Sequence, residues 1–308
     1  MQHIVTLTMN PAIDKCSSVE QVVSDKKLRC KPPRFEPGGG GINVGRAIKK
    51  LGGEAFNMYP AGGPPGKLYE LLLDEESVKH QCIAIKNWTR QNLMIIEESS
   101  GKQYRFGMPG PELSQDEWEE CLSVIGNLEK NPSFIVASGS LPPGVPDDFY
   151  ARIVHLGKKQ GSRVIIDTSG EPLKLAANAG AYLLKPNLRE LSHIIGKTIE
   201  EETDLEDAAH QIIRECDCEV IVVSLGAGGV FMLTGEERAF IRSPTVPIKS
   251  KVGAGDSMVA GITLSLARNK TLRDSVRFGV AAGAAAVMTP GSELCRREDT
   301  ERLFKQME

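Results

Sequence analysis

FIVASGSLPPGVPDDFYARIVHLGKKQGSRVIID, residues 134–167, sets two short apolar runs on either side of a helical stretch. Phe134 to Ala137 and Val164 to Asp167 are rich in Val, Ile and Phe and read as buried strands, and residues around 147–160 between them read as a helix. A strand, a helix and a second strand in this order form a βαβ unit with parallel strands. The rhythm continues on both sides. Further strands are expected at Tyr182 to Lys185 and Val220 to Ser224, and further helices around 116–128, 188–195 and 204–215. The expected fold class is α/β, around a parallel sheet.

Nearer the start, His3 to Met9 reads as a strand that meets a turn at Asn10-Pro11. The four glycines Gly38 to Gly41 precede Val44, Ala47, Ile48 and Leu51, one apolar face of a helix that Gly52-Gly53 ends. Two stretches break the α/β rhythm. Residues 15–36 are polar, basic and interrupted by prolines, with a short β-like piece at Leu28 to Cys30. Residues 82–108 are extended, and Leu93 to Glu97 and Gln103 to Phe106 flank a turn at Ser99 to Lys102 as a hairpin would. Both read as excursions from one domain spanning 1–308, meeting in a small β-sheet.

The bulk properties exclude several classes. A net charge of −3 gives no general attraction to nucleic acid or anionic membranes, so any anion must be held by local groups. The seven cysteines are scattered without a C-x-x-C pair, as reduced thiols would be. The start, MQHIVTLTMNPAID, has neither the basic end nor the apolar run of a signal peptide. The longest apolar run, Phe278 to Met288, is about half a bilayer span. A cytoplasmic protein without a membrane partner is expected.

The chemistry-bearing motifs lie at the strand ends and among the glycines. Val252-Gly253-Ala254-Gly255-Asp256 precedes a helical pattern, and its glycines let several N–H groups converge on an anion at a helix N-terminus. Asp256 there is either a base for a phosphoryl acceptor or an ordinary residue stabilising the helix dipole. Lys185-Pro186-Asn187-Leu188-Arg189-Glu190 follows a strand. Asn187 and Glu190 share one helix face and suit Mg²⁺, or else form a capping box. Ser224, Gly226 and Gly229, after another strand, allow a nucleotide phosphate to approach or make a plain loop. Gly39 and its neighbours either offer a side-chain-free surface for a sugar ring, with Asn43 projecting from it, or form a flexible linker, though a linker seldom runs straight into an amphipathic helix. Asp14 either bonds sugar hydroxyls or braces its turn, and the strand-end loop Ser138 to Gly144 either lines the same cleft or makes an ordinary turn. Lys27, Arg29, Arg90 and Arg105 lie in the excursions, where they either fit a phosphate or are solvated surface charges.

The ordered set NPAID, GGGGINVGRAIKKLGG, ASGSLPPGV, KPNLREL, VVSLGAGGV and VGAGDSMVAG resembles the ribokinase-like carbohydrate kinases, the PfkB family, over essentially the whole chain. The resemblance implies a Rossmann-like α/β/α sandwich with a β lid and a homodimer in which two lids clasp. It implies an ATP-dependent kinase for a sugar phosphate, fructose 6-phosphate first, with tagatose 6-phosphate or fructose 1-phosphate as alternatives. A non-catalytic nucleotide- or sugar-binding regulator on the same fold is the reading from another class. Asp256 would be the base, with Gly253, Ala254 and Gly255 as the anion hole. Asn187 and Glu190 would organise Mg²⁺ through water. Lys185, Asn187, Ser224, Gly226 and Gly229 would border ATP. Asp14, Gly39, Asn43, Arg90, Arg105 and Ser138 would hold the sugar phosphate, with Lys27 and Arg29 reaching from the lid or from its partner. Many relatives also bind a monovalent cation near the Gly-Ala-Gly-Asp loop. Here Ser250-Lys251 stands where the family has Asp-Thr or a Ser/Thr pair, so either K⁺ binds or the lysine takes its place.

Overall fold

In the computed structural model, which describes residues 2–291 and 293–307, the apolar runs become strands of a nine-stranded sheet. β1 (Ile4–Leu7) leads out into β2 (Ala12–Val19) and β3 (Arg34–Gly38). The chain returns through α1 (Gly40–Lys50), β4 (Phe56–Ala61), α2 (Gly63–Glu75) and β5 (His80–Ala84). A second departure, β6 (Arg90–Glu97) and β7 (Gln103–Phe106), ends at α3 (Gln115–Gly126). Strands and helices then alternate through β8 (Phe134–Ser138), α4 (Phe149–Gln160), β9 (Arg163–Asp167), α5 (Gly170–Asn178) and β10 (Leu183–Leu184). Next come α6 (Leu188–Ile195), α7 (Glu202–Glu215) and β11 (Val220–Ser224). β12 (Val230–Leu233) and β13 (Arg238–Ile241) precede the final helices, α8 (Ala254–Ala267), α9 (Leu272–Val287) and α10 (Arg297–Gln306).

The large sheet runs in the order β13-β12-β11-β10-β9-β8-β1-β4-β5, parallel from β11 to β5 with antiparallel strands at the other edge. The order reverses between β1 and β8, so the crevice beyond their carboxyl ends is a topological switch point, where such sheets bind ligands. Alternate residues of each strand feed two cores. Ile135, Ala137, Ile221 and Val223 face the layer of α3 to α7, and Phe134, Val136, Val220 and Val222 face α1, α8, α9 and α10. Burial on both faces explains why these strands are continuously apolar. The run Phe278 to Met288 lies at the end of α9, where Gly279 lets the helix approach Gly261 of α8 closely. No helix of the described residues is long and apolar enough to cross a membrane.

The two excursions form a separate four-stranded sheet, β3-β2-β6-β7, joined by a parallel β2–β6 ladder and an antiparallel β6–β7 hairpin. Their bounds differ from the sequence expectation. His80–Ala84 pairs with β4 in the large sheet, so the second excursion begins at Arg90. Leu28 to Cys30 is loop, and the first excursion's strands lie on either side of it at Ala12–Val19 and Arg34–Gly38. Proline at 32 and 33 withholds ladder donors there.

Candidate active site

The site is assembled where α1 enters the switch point. A Cβ on Gly40 would collide with Ser138 Oγ at the end of β8, and one on Gly41 would collide with Leu7 O at the end of β1. Only glycine lets this helix N-terminus fill the crevice. Gly39, the N-cap, has φ 120°, which L side chains rarely adopt. A Cβ on Gly38 would strike the Asp14 carboxylate, so Asp14 and Ser138 flank the glycine turn from two sides.

Opposite lies the N-terminus of α8. Gly253, just before it, lies in the left-handed region (φ 73°), and among the described residues no side chain caps the first N–H groups. The first main-chain bond is Ser257 N to Gly253 O at 2.8 Å, which leaves the N–H groups of Ala254, Gly255 and Asp256 for an anion. Asp256 lies in this turn, and Asn43 Nδ2 of α1 donates to its Oδ2 at 2.9 Å. Its pKa is pushed up to about 7, first by burial and then by the charges of Asp167 and Asp14, against the Asn43 hydrogen bond and Lys185. A carboxyl poised near neutrality beside an anion-binding helix end is equipped to take up a proton.

The carboxyl edge of the large sheet supplies the next groups. Lys185, just after β10, is 6% exposed and pairs with Asp167 at the end of β9 at 3.0 Å. Burial works against its charge, but Asp167, Glu190 and Asp256 outweigh it and raise the ammonium pKa. Asn187 bridges Ser224 at the end of β11. Asn187 and Glu190 make a reciprocal capping box, with both bonds at 2.9 Å. The box uses Asn187 Oδ1 and Glu190 Oε2 and leaves Glu190 Oε1 without a hydrogen bond among the described residues. Burial raises the Glu190 pKa, and Asp167 adds to this. Such crowded negative charge fits a hydrated divalent cation held through water. Gly226 (φ 61°) faces open space, whereas Gly229 (φ 97°) packs so tightly on Ile241 O that any Cβ would collide. Gly226 is therefore free to meet a ligand, and Gly229 serves the turn into β12.

The small sheet closes the cleft from the other side, with Asp14, Asn92, Arg105 and Gly107 facing Val252. Asn92, opposite Asp14 in the β2–β6 register, donates from Nδ2 to Asp14 Oδ1 at 2.8 Å and accepts from Met108 N at 3.0 Å. Asp14 is raised by burial, opposed by Asn92, Arg90 and Arg105. Arg90 donates to Asn10 O at 2.8 Å and Met108 O at 3.1 Å, so part of its fork braces the main chain. Arg105 is exposed, and its side chain makes no hydrogen bond among the described residues. Lys27 and Arg29 are not brought to this cleft within one chain. They are exposed on the loop beyond Val19, while Asp14 lies near the opposite end of β2.

Three residues of this constellation escaped the sequence reading: Asp167, Asn92 and Arg46, a buried residue of α1 whose Nη1 donates to Asn43 Oδ1 at 3.3 Å. Asp167 carried the signal that exposed Lys185, a charge ending an apolar strand. Arg46 lies three residues after Asn43, on the same helix face. Asn92 sits in a strand without distinctive spacing.

A parallel sheet with its crevice at a glycine-lined switch point, a carboxylate at an uncapped helix end and a covering β-sheet together define a ribokinase-like kinase fold. The chain belongs to the pfkB family carbohydrate kinases, whose profile matches residues 5–299. It is 43% identical over 305 residues to the ATP-dependent 6-phosphofructokinase isozyme 2 of Escherichia coli, covering 99% of this chain and 98% of that one. The structure of phosphofructokinase-2 from Escherichia coli in complex with potassium superposes with a TM-score of 0.96 at 42% identity, covering 100% of this chain and 99% of that chain. The complex of that enzyme with fructose-6-phosphate gives a TM-score of 0.94 at the same identity and coverage.

Proposed function

We propose that this chain is an ATP-dependent 6-phosphofructokinase, transferring the γ-phosphoryl group of ATP to the C1 hydroxyl of fructose 6-phosphate. The observation that carries this reading is Asp256, a carboxyl with a pKa near 7 in the first turn of an uncapped helix, held by Asn43 across a glycine-lined crevice. The full-length likeness to relatives named for this reaction supports the choice of acceptor.

In this mechanism the sugar lies on the backbone of Gly39 to Gly41. Asp14, Asn43 and Ser138 take its hydroxyls, and Arg105 and the free N–H groups of Arg90 take its phosphate. ATP runs along the carboxyl edge of the sheet, bordered by Asn187, Ser224 and Gly226, with Lys185 toward its phosphates. Asp256 accepts the C1 hydroxyl proton as that oxygen attacks the γ-phosphorus in line. The bond to the bridging oxygen breaks, and ADP leaves. The N–H groups of the Gly253–Gly255 turn and Asp256 stabilise the charge on the phosphoryl oxygens in transit, so positioning and charge provide most of the acceleration. Asn187 and Glu190 are the residues that would hold Mg²⁺ through water, and the ion would supply neutralisation of charge on the ATP phosphates.

The small sheet acts as a lid that excludes water from the reacting groups. Its outer residues Phe35 and Phe106 are exposed, and Lys27 and Arg29 make no bond or ion pair among the described residues. Both features support a homodimer clasped lid to lid, in which these two cations serve the partner's site. Lys251 is exposed, which favours K⁺ over a lysine substitute for the ion, so K⁺ should stimulate a K⁺-free assay.

The test is ADP release with MgATP and fructose 6-phosphate, tagatose 6-phosphate, fructose 1-phosphate or free fructose. Preference for fructose 6-phosphate is expected. Preference for another acceptor would keep the chemistry and change the substrate, and no turnover with any would overturn the reading.

A further inference from the structure

Asn43 meets Asp256 through a carboxamide, whose two ends have the same shape but opposite chemistry, one donating and one accepting. Which end faces Asp256 decides which protonation state of the carboxyl is favoured. Arg46, one helical turn on and 3% exposed, makes that choice. Its Nη1 donates to Asn43 Oδ1 at 3.3 Å and to Pro37 O at 3.0 Å. Its Nε and Nη2 are held by the two Glu76 oxygens at 2.8 and 2.5 Å. An arginine has no acceptor, so it can face only the oxygen end of Asn43 and leaves the NH₂ end for Asp256.

We propose that Arg46, held by Glu76, is a positioning residue for phosphoryl transfer: it locks the Asn43 carboxamide so that its N–H always meets the ionised form of Asp256. The inference rests on Asp256 being the base. Among the described residues Asn43 from α1 donates to that carboxyl, and the charges of Asp14 from β2, Asp167 at the end of β9 and Lys185 after β10 act on it. Burial, Asp167 and Asp14 favour the protonated carboxyl, whereas Asn43 and Lys185 favour the ionised one. With Arg46 disengaged, Asn43 is free to turn its oxygen toward a protonated Asp256. The base then ionises only at higher pH. A residue that merely packed α1 against α2 would alter the rate alike at every pH.

The experiment is the pH profile of kcat/KM for fructose 6-phosphate at saturating MgATP, with Arg46→Lys and Glu76→Gln beside the unaltered enzyme. Arg46→Lys keeps the charge and loses the fork. Glu76→Gln leaves Arg46 in place and alters a side chain that is 33% exposed, so it remains informative if the lysine variant does not fold. The acid limb should move up by about half to one pH unit, with a loss of about threefold to tenfold below the limb and near-normal activity well above it. An unmoved limb, with activity either intact or lowered equally at every pH, would overturn the proposal. Asp256→Ala separates the two layers. If it is inactive while the limb stays put, only the role of Arg46 fails; if it remains active, the assignment of the base fails and this inference with it.

Discussion

The nine-stranded sheet and the four-stranded sheet enclose the site from opposite sides and fix their side chains by different means. In the large sheet each polar group ends a strand buried on both faces. Ser138 is 1% exposed and Lys185 6%, and little around them can shift without disturbing a core. The small sheet has no such backing. Most of β6 is only half-buried and most of β7 is exposed, so Asp14, Asn92 and Arg105 are placed by a ladder and a few hydrogen bonds. The contrast teaches a division of labour. In the proposed mechanism the wall contributes Ser138 and Lys185, where small errors of position are costly, and the cover contributes Asp14 and Arg105, which would meet the acceptor as the lid closes.

Breaking the wall should have the largest effect. Asp167→Leu leaves the buried Lys185 ammonium without its 3.0 Å partner, and urea unfolding should register a loss of about 3–5 kcal/mol. A loss no greater than that of a surface substitution would mean the wall is not rigid in this sense. The matching change on the cover, Asn92→Leu, should act on function instead. KM for the acceptor should rise about tenfold, as expected for about 1–1.5 kcal/mol of lost polar contact, with kcat and melting temperature nearly unchanged. If it unfolds the protein while leaving KM alone, the comparison is inverted.

A subtler effect concerns pH. The folded pKa of Asp256 is raised to about 7 from the ordinary carboxylate value near 3.8. Between those values the folded state holds a proton that the unfolded chain has released, so stability falls as pH rises through this window. Asp256→Asn removes that penalty. Its melting temperature should exceed that of the unaltered protein at pH 8, and the gap should close toward pH 4. Equal melting temperatures at pH 8 would show that Asp256 ionises without strain. At the small end, Lys31→Ala breaks an exposed pair with Glu98 on the far part of the cover and should leave melting temperature and kcat unchanged.

Residues that announce themselves locally were legible in the sequence. Strands buried on both faces are apolar throughout, so β8, β9 and β11 lie within a residue of their expected bounds. Lys185 and Asn187 were legible because they follow such a run, and Asp256 because it follows Gly253-Ala254-Gly255 at the start of a helical pattern. What escaped depends on partners distant in sequence. The helix α2, for which no expectation was drawn, begins Gly63-Pro64-Pro65-Gly66, and proline is well suited to a first helical turn. Asp14 and Asn92, 78 residues apart, meet only through the parallel β2–β6 register. Lys27 and Arg29 carry charge suited to a phosphate, but no sequence spacing could tell that their loop points away from their own chain's cleft.

The most direct measurement is made on Asp256→Ala: acceptor binding by calorimetry and single-turnover phosphoryl transfer on the same sample. Fructose 6-phosphate should bind within about threefold of the unaltered protein, while transfer slows by about 10²–10⁴-fold, the usual contribution of a positioned base. Transfer at a near-normal rate, or a loss that merely tracks weakened binding, would contradict the assignment of Asp256 as the base.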